Sequence, residues 1–266
     1  MNRILIKIFL LAGFSTLVQA QDFEVAPVLV SFDANPGESQ VKMLTLKNHS
    51  SERQKFLLNL SDYLLDEDGV KQPMEAGSTK YSLSDWLTVN PAFVELNPNE
   101  EAEITLIMNV PRTGYDTRWG MIQVEITREQ VSSEADKQLT TGVVIVPRIV
   151  VLVKQSPMSN MNYRGTVSGL HEVTEKGADM RTFEALITNN GDKILDAKAF
   201  LAVANLETAE EQQFKPATFT VYPGFKRKVA LTLPVKLSPG QYALAFLMDY
   251  GHGAPIEGAQ MMLEVR

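Results

Sequence analysis

The 266-residue sequence contains no cysteine and only three histidines. Without cysteine the fold has no disulfide, so packing must hold it together, and thiol chemistry and Cys-ligated metal sites are excluded. His49, His171 and His252 are far apart along the chain, and none has a second histidine at the spacing of metal ligands. We therefore expect no metal and no other cofactor.

The motifs of the common enzyme sites are missing as well. The sequence has no Gly-x-Ser-x-Gly, no glycine-rich phosphate loop before a helix and no His-Glu-x-x-His. Asp66, Glu67 and Asp68 precede Gly69 in a superficial likeness to a calcium loop, but the ligand spacing and the terminal glutamate are absent. A solvated acidic turn is the simpler interpretation, and the sequence predicts a protein that is not an enzyme.

No apolar run is long enough to cross a bilayer, which takes about 20 residues. The run over 8–18 is about half that length; it follows two basic residues and ends in compact side chains at Val18 and Ala20. These are the parts of a cleavable signal peptide. We expect residues 1–20 to be removed and the mature chain to be periplasmic or otherwise extracytoplasmic, without a transmembrane segment.

Positive charge is also scarce, since the formal net charge is −7. The predicted leader carries two of the basic residues and no acidic one, so the mature chain is more acidic still. Nucleic acid and anionic lipid attract basic surfaces, and neither is expected as the primary partner. The charge says nothing positive about which partner is bound.

What the chain does contain is a long series of short apolar–polar alternations. They recur at Phe56, Leu58 and Leu60, at Ile104, Leu106 and Met108, and at Phe183, Ala185 and Ile187. A period of two is typical of half-buried strands, and short strands between regular turns predict β-sandwiches. Residues 66–84 are polar with scattered glycine and predict either a long loop or a hairpin insertion.

One polar segment, residues 155–162, separates two sets of strand signals. It contains a proline and follows the most apolar strand, and the alternation restarts after it. The sequence therefore predicts an all-β protein with two tandem immunoglobulin-like β-sandwich domains, near 21–155 and 160–266.

The segment 141–153 is more apolar than a strand with one buried face requires. A strand buried on both sides inside a sandwich would explain this composition. An edge strand that another chain covers would explain it equally, because exposed edges template strand addition. The residues alone leave both interpretations open.

Five short segments, in this order, give the first half a family resemblance: VSFD at 30–33, LTLKN at 44–48, WLTVNP at 86–91, VELNP at 94–98 and RIV at 148–150. This half resembles the first domain of the PapD-like periplasmic pilus chaperones and, more loosely, the WxL-interacting extracellular proteins. The resemblance covers nearly half the chain. It implies a non-enzymatic protein whose first domain lends a strand to a partner subunit.

The resemblance also implies a set of contact residues. Val143 and Ile145 are the counterparts of the alternate apolar side chains that the family offers to its partner. The family holds the partner's terminal carboxylate with two cleft cations, but Leu29 and Val150 align with those positions and cannot pair with a carboxylate. Arg148 lies on the same strand face as Val150 and is the expected substitute. Val143, Ile145, Arg148 and Val150 are thus the predicted partner-binding residues.

The function predicted from the sequence is a chaperone-like or assembly factor that binds a subunit of a surface or secretion assembly by strand-edge pairing. One alternative is a structural adaptor of such an assembly, in which the apolar strand is permanently buried. The other is a carbohydrate-binding accessory module. It is the least favoured, because aromatic residues make up only 8% of the chain and Trp86 and Trp119 form no obvious stacking platform.

Overall fold

The computed structural model describes residues 22–127 and 147–265, and in these ranges the regular structure consists of strands. Ten strands belong to the first half of the chain: β1 (Phe23–Ala26), β2 (Leu29–Phe32), β3 (Ser39–Asn48), β4 (Gln54–Leu65), β5 (Lys71–Met74), β6 (Leu87–Asn90), β7 (Phe93–Leu96), β8 (Glu101–Asn109), β9 (Arg118–Ile126) and β10 (Arg148–Gln155). They form a four-stranded sheet, β1-β3-β8-β6, and a six-stranded sheet, β2-β10-β9-β4-β5, in which β7 also pairs with β4.

The alternating residues of these strands form the core between the two sheets. Ile104, Leu106 and Met108 of β8 are fully buried, as the period of two predicts. Phe56 and Leu58 of β4 meet them from the other sheet as members of the same cluster. Because β4 and β5 are paired antiparallel, the polar segment after β4 includes a hairpin rather than being one long loop.

The chain changes sheets between its first two strands. β1 pairs antiparallel with β3 in the four-stranded sheet, and after the cis peptide Ala26–Pro27 the chain joins the other sheet. There β2 lies parallel to β10, with Leu29 opposite Leu152 and Phe32 opposite Gln155. As a result β2 covers only the last four residues of β10.

The second half of the chain forms another pair of sheets. Its strands are β11 (Gly165–Glu172), β12 (Thr182–Asn189), β13 (Leu195–Asn205), β14 (Glu211–Gln213), β15 (Ala217–Val221), β16 (Lys226–Thr232), β17 (Gly240–Asp249) and β18 (Glu257–Val265). Three of them form the sheet β11-β12-β16, and the others form β14-β13-β17-β18 with β15 paired to β13. Phe183, Leu201 and Phe246 are buried in the core between them.

A third group of buried residues joins the two halves, and we call it the inter-sandwich cluster: Tyr63, Trp119, Met121, Ile194 and Tyr222. The hydroxyls of Tyr63 and Tyr222 are hydrogen-bonded at 2.9 Å, and the indole N–H of Trp119 donates to the Tyr63 carbonyl at 3.1 Å. Tyr81 stacks on Trp119 with ring centroids 4.1 Å apart. The two sandwiches therefore share a packed, hydrogen-bonded contact.

The predicted fold class, all-β with two immunoglobulin-like sandwiches, is confirmed. The exact domain limits, 21–155 and 160–266, stay a prediction, and the strands themselves end at Gln155 and resume at Gly165. The predicted leader, residues 1–20, lies outside the described residues. In the described ranges no helix is long and apolar enough to span a membrane.

Candidate partner-binding edge

The two halves of β10 have different neighbours. Leu152–Gln155 lies between β9 and β2, with β9 antiparallel and β2 parallel. Arg148–Val151 is paired with β9 on one side, and within the described residues no strand pairs with its other side. Among the described strands, β10 is therefore internal in its second half and at the edge in its first.

Backbone directions identify the groups that this edge presents. The Leu152 N–H donates to the Val28 carbonyl at 2.9 Å, and the Ser156 N–H donates to the Phe32 carbonyl at 3.0 Å. Even-numbered residues of β10 thus direct their backbone groups toward the β2 side, because these directions alternate along a strand. Arg148 and Val150 direct theirs to the same side, ahead of β2. Such a row of N–H and C=O groups can accept an added strand.

Apolar side chains accompany this edge on the outer face of the sheet. Val150 is 38% exposed, and Leu29, which lies opposite Leu152, is 54% exposed. The two positions that align with the family's cation sites are thus close neighbours, and both are apolar and open to solvent. The odd-numbered residues face the other way: Val151 and Val153 are buried in the core and Ile149 packs against it.

Arg148 lies on this exposed face, as expected, but its guanidinium already forms an ion pair with Glu125. Its Nη2 donates to Glu125 Oε2 at 2.7 Å, across the strand pair in which the two residues are directly opposite. Arg148 is half exposed, so the ion pair is screened by solvent. A carboxylate from a partner would have to compete with Glu125 for this cation.

Two further cations lie beyond the edge, in a groove of about 250 Å³ between the sandwiches. Lys154 lies on the same face of β10 as Arg148, and its Nζ is 3.9 Å from Asp196 Oδ2 of β13. Lys193 is buried and donates to the Pro157 carbonyl at 2.8 Å. Burial lowers the pKa of Lys193; Asp33 opposes this effect and the charge of Lys154 adds to it.

The sequence analysis missed both lysines. Lys154 could have been found, because it is four residues beyond Val150 and has the same strand phase. No pattern in the sequence indicated Lys193, because it follows β12 and reaches the groove only through the packing of one sandwich on the other. Of the predicted contact residues, Arg148 and Val150 lie side by side on the edge, and Val143 and Ile145 lie outside the described residues.

Comparisons with known proteins give a likeness of fold alone. No family model and no curated protein matches the sequence. A structure titled as a chaperone–tip adhesin complex of CFA/I fimbriae biogenesis is 13% identical with a TM-score of 0.49, over 91% of this chain and 98% of that chain. The class 5 fimbriae chaperone CfaA is 14% identical with a TM-score of 0.48, over 92% and 99%.

The Escherichia coli chaperone DraB is 12% identical with a TM-score of 0.42, over 91% of this chain and 98% of that chain. These solved structures belong to the family that the first half of the sequence resembles. Identities and TM-scores this low support no conclusion about partners or mechanism.

Proposed function

We propose that this chain is an extracytoplasmic, non-enzymatic protein-binding protein of chaperone-like type, which holds a partner by pairing a strand of the partner with the open half of β10. The observation that carries the proposal is the pairing of β10 itself. Arg148 and Val150 direct backbone groups to a side where no described strand lies, although β2 fills that side from Leu152 onward.

The chemistry of such a contact follows from strand geometry. The added strand donates to and accepts from the backbone of Arg148 and Val150, and these hydrogen bonds supply affinity without regard to sequence. Alternate side chains supply the selectivity, because every second residue of the added strand lies on the outer face of the sheet, beside the exposed apolar pair Leu29 and Val150. A partner segment with alternating apolar residues fits this surface.

Val143 and Ile145 precede this edge in sequence and are proposed to extend the contact. Arg148 is proposed to contribute its backbone and, when a carboxylate displaces Glu125, its guanidinium. Lys154 is a second candidate for the same carboxylate, since it lies on the same face beyond the point where β2 covers the edge. Substituting each cation separately distinguishes the two.

A short synthetic peptide of alternating valine and threonine tests strand addition directly. Amide hydrogen exchange, followed by NMR, should slow at Arg148 and Val150 when the peptide is added and stay unchanged at Ile149 and Val151, which β9 already pairs. An all-proline peptide of the same length is the control, since it has no N–H group to donate from either edge. Equal exchange with both peptides, or slowing at all four amides, would remove strand addition as the mechanism.

A further inference from the structure

The acidic turn between β4 and β5 is the motif that the proposed function leaves unexplained. This turn, residues 66–70, is held by its own hydrogen bonds, because Asp66 Oδ1 accepts from the N–H groups of Asp68 at 3.0 Å and Val70 at 2.9 Å. Gly69 has φ +77°, a conformation that side chains of other residues disfavour. The turn is therefore built in one conformation and is available as a rigid tip.

The tip points at a strand edge of the second sandwich. β16 is the last strand of the sheet β11-β12-β16, so one of its sides has no strand partner in the described ranges. The N–H of Leu233, which follows β16, donates to the carbonyl of Arg181, which precedes β12. The backbone groups of the odd-numbered residues of β16 therefore point toward β12. Lys228 and Ala230 consequently direct their N–H groups to the open side.

The turn occupies part of that open side. The Lys228 N–H donates to the Glu67 carbonyl at 2.7 Å, and Lys228 Nζ lies 2.9 Å from Glu67 Oε2. The hydrogen bond between the Lys228 and Glu67 side chains and the charge of Glu67 raise the pKa of the Lys228 ammonium. One residue thus makes both a main-chain and a side-chain contact to the same residue of the other sandwich.

Gly69 of the turn lies against the Arg227 side chain of the second sandwich. A Cβ at this position would lie 2.8 Å from Cζ and Nη1 of Arg227, which is inside contact distance. Arg227 is held in place by donating from Nη1 to the Thr220 carbonyl at 3.0 Å. A side chain at position 69 would therefore have to displace the end of the Arg227 side chain and adopt a positive φ.

We infer that the acidic turn is an intramolecular clamp, which caps the open edge of β16 and fixes the second sandwich on the first. The hairpin makes contact at two separate points. At its base Tyr63 is buried in the inter-sandwich cluster and Leu65 packs against it, and at its tip Glu67 holds Lys228. Two separated contacts on one rigid hairpin resist rotation between the sandwiches, which a single contact would permit.

Amide exchange tests the cap. In the unaltered protein the Lys228 amide should exchange about tenfold more slowly than the Ala230 amide, which lies on the same edge of the same strand beyond the turn. Replacing residues 66–70 by Asn-Gly keeps Leu65 opposite Lys71 in a two-residue hairpin and withdraws the tip. Lys228 should then exchange as fast as Ala230. Equal rates in the unaltered protein, or continued protection of Lys228 in the shortened variant, would overturn the clamp.

Spin labels test its effect on orientation, and the absence of cysteine from the chain makes labelling specific. With Glu103→Cys in the first sandwich and Lys215→Cys in the second, double electron–electron resonance should give one narrow distance distribution. The shortened turn should broaden it, and an unchanged width would show that the inter-sandwich cluster alone sets the orientation, against the clamp. If the shortened variant does not fold by circular dichroism, Gly69→Val keeps the turn length, displaces Arg227 and should broaden the distribution in its place.

Discussion

The two halves of β10 are both rich in apolar residues and differ in what surrounds them. Among the residues that the structure describes, Arg148–Val151 has one strand partner, whereas Leu152–Gln155 lies between β9 and β2. The cause is the passage of the chain from one sheet to the other after β1, which leaves only four residues of β2 to pair with β10. How far a neighbouring strand extends, rather than hydrophobicity, decides which part of an apolar strand its own domain covers.

The outer faces of the two halves repeat this contrast. Val150 is exposed beside the open edge, while Leu152, two residues later on the same face, packs against the inter-sandwich cluster. One strand face thus passes from solvent to a contact between domains within two residues. On this outer face, substitutions in the second half should cost stability, and substitutions in the first should cost binding.

The largest effect is expected where a charge replaces a buried residue of the second half. Val153 is 1% exposed in the core, so Val153→Asp should destabilise the first sandwich by about 3–5 kcal/mol, as an unpaired buried charge does. Urea unfolding followed by circular dichroism measures the loss. Val150→Asp places the same charge on the exposed face of the strand and should change stability by less than about 0.5 kcal/mol. Equal losses would show that the outer face at Val150 is covered by protein.

A smaller loss of stability is expected at the boundary between the halves. Leu152→Ala removes side-chain contacts with the inter-sandwich cluster and should cost roughly 1.5 kcal/mol, the low end for a buried leucine because the side chain is only partly buried. Val150→Ala removes a side chain of the same face and should cost little. The difference between their unfolding free energies sharpens the comparison, and no difference would mean that Leu152 contributes nothing to the contact between sandwiches.

The sequence predicted much of this arrangement and missed the parts made by distant residues. Alternation along β8 and β12 has a period that any half-buried strand shows, so the sandwiches could be predicted from local pattern. Arg148 and Val150 share a strand face because they are two residues apart, and their role in binding a partner stays a prediction. The stack of Tyr81 on Trp119 and the contact of Glu67 with Lys228 depend on how one sandwich packs on the other, and no local period encodes that orientation.

Partner binding should distinguish the open edge from an equally exposed site elsewhere. Val150 and Val173 are 38% and 37% exposed, so Val150→Asp and Val173→Asp add the same charge at positions of similar accessibility. Only Val150→Asp should weaken binding of the alternating peptide, by about tenfold if roughly 1.4 kcal/mol of apolar contact is lost. Titration followed by NMR provides the dissociation constants. A similar loss in both variants would point to a general charge effect and not to a contact at the edge.

The smallest effect is expected at Arg148, because its charge is already paired. An exposed ion pair is worth about 0.2–1 kcal/mol, so Arg148→Ala should leave the unfolding free energy nearly unchanged. Its effect on binding should depend on the end of the peptide. If the guanidinium exchanges Glu125 for the terminal carboxylate of the peptide, Arg148→Ala weakens binding of the peptide with a free C-terminal carboxylate by up to about fivefold. Binding of the C-terminally amidated peptide is then unchanged. Glu125→Gln releases the cation and should strengthen binding of the free acid alone. If Lys154→Ala removes the preference for the free acid and Arg148→Ala does not, the carboxylate is held in the groove between the sandwiches, and Arg148 contributes only its backbone.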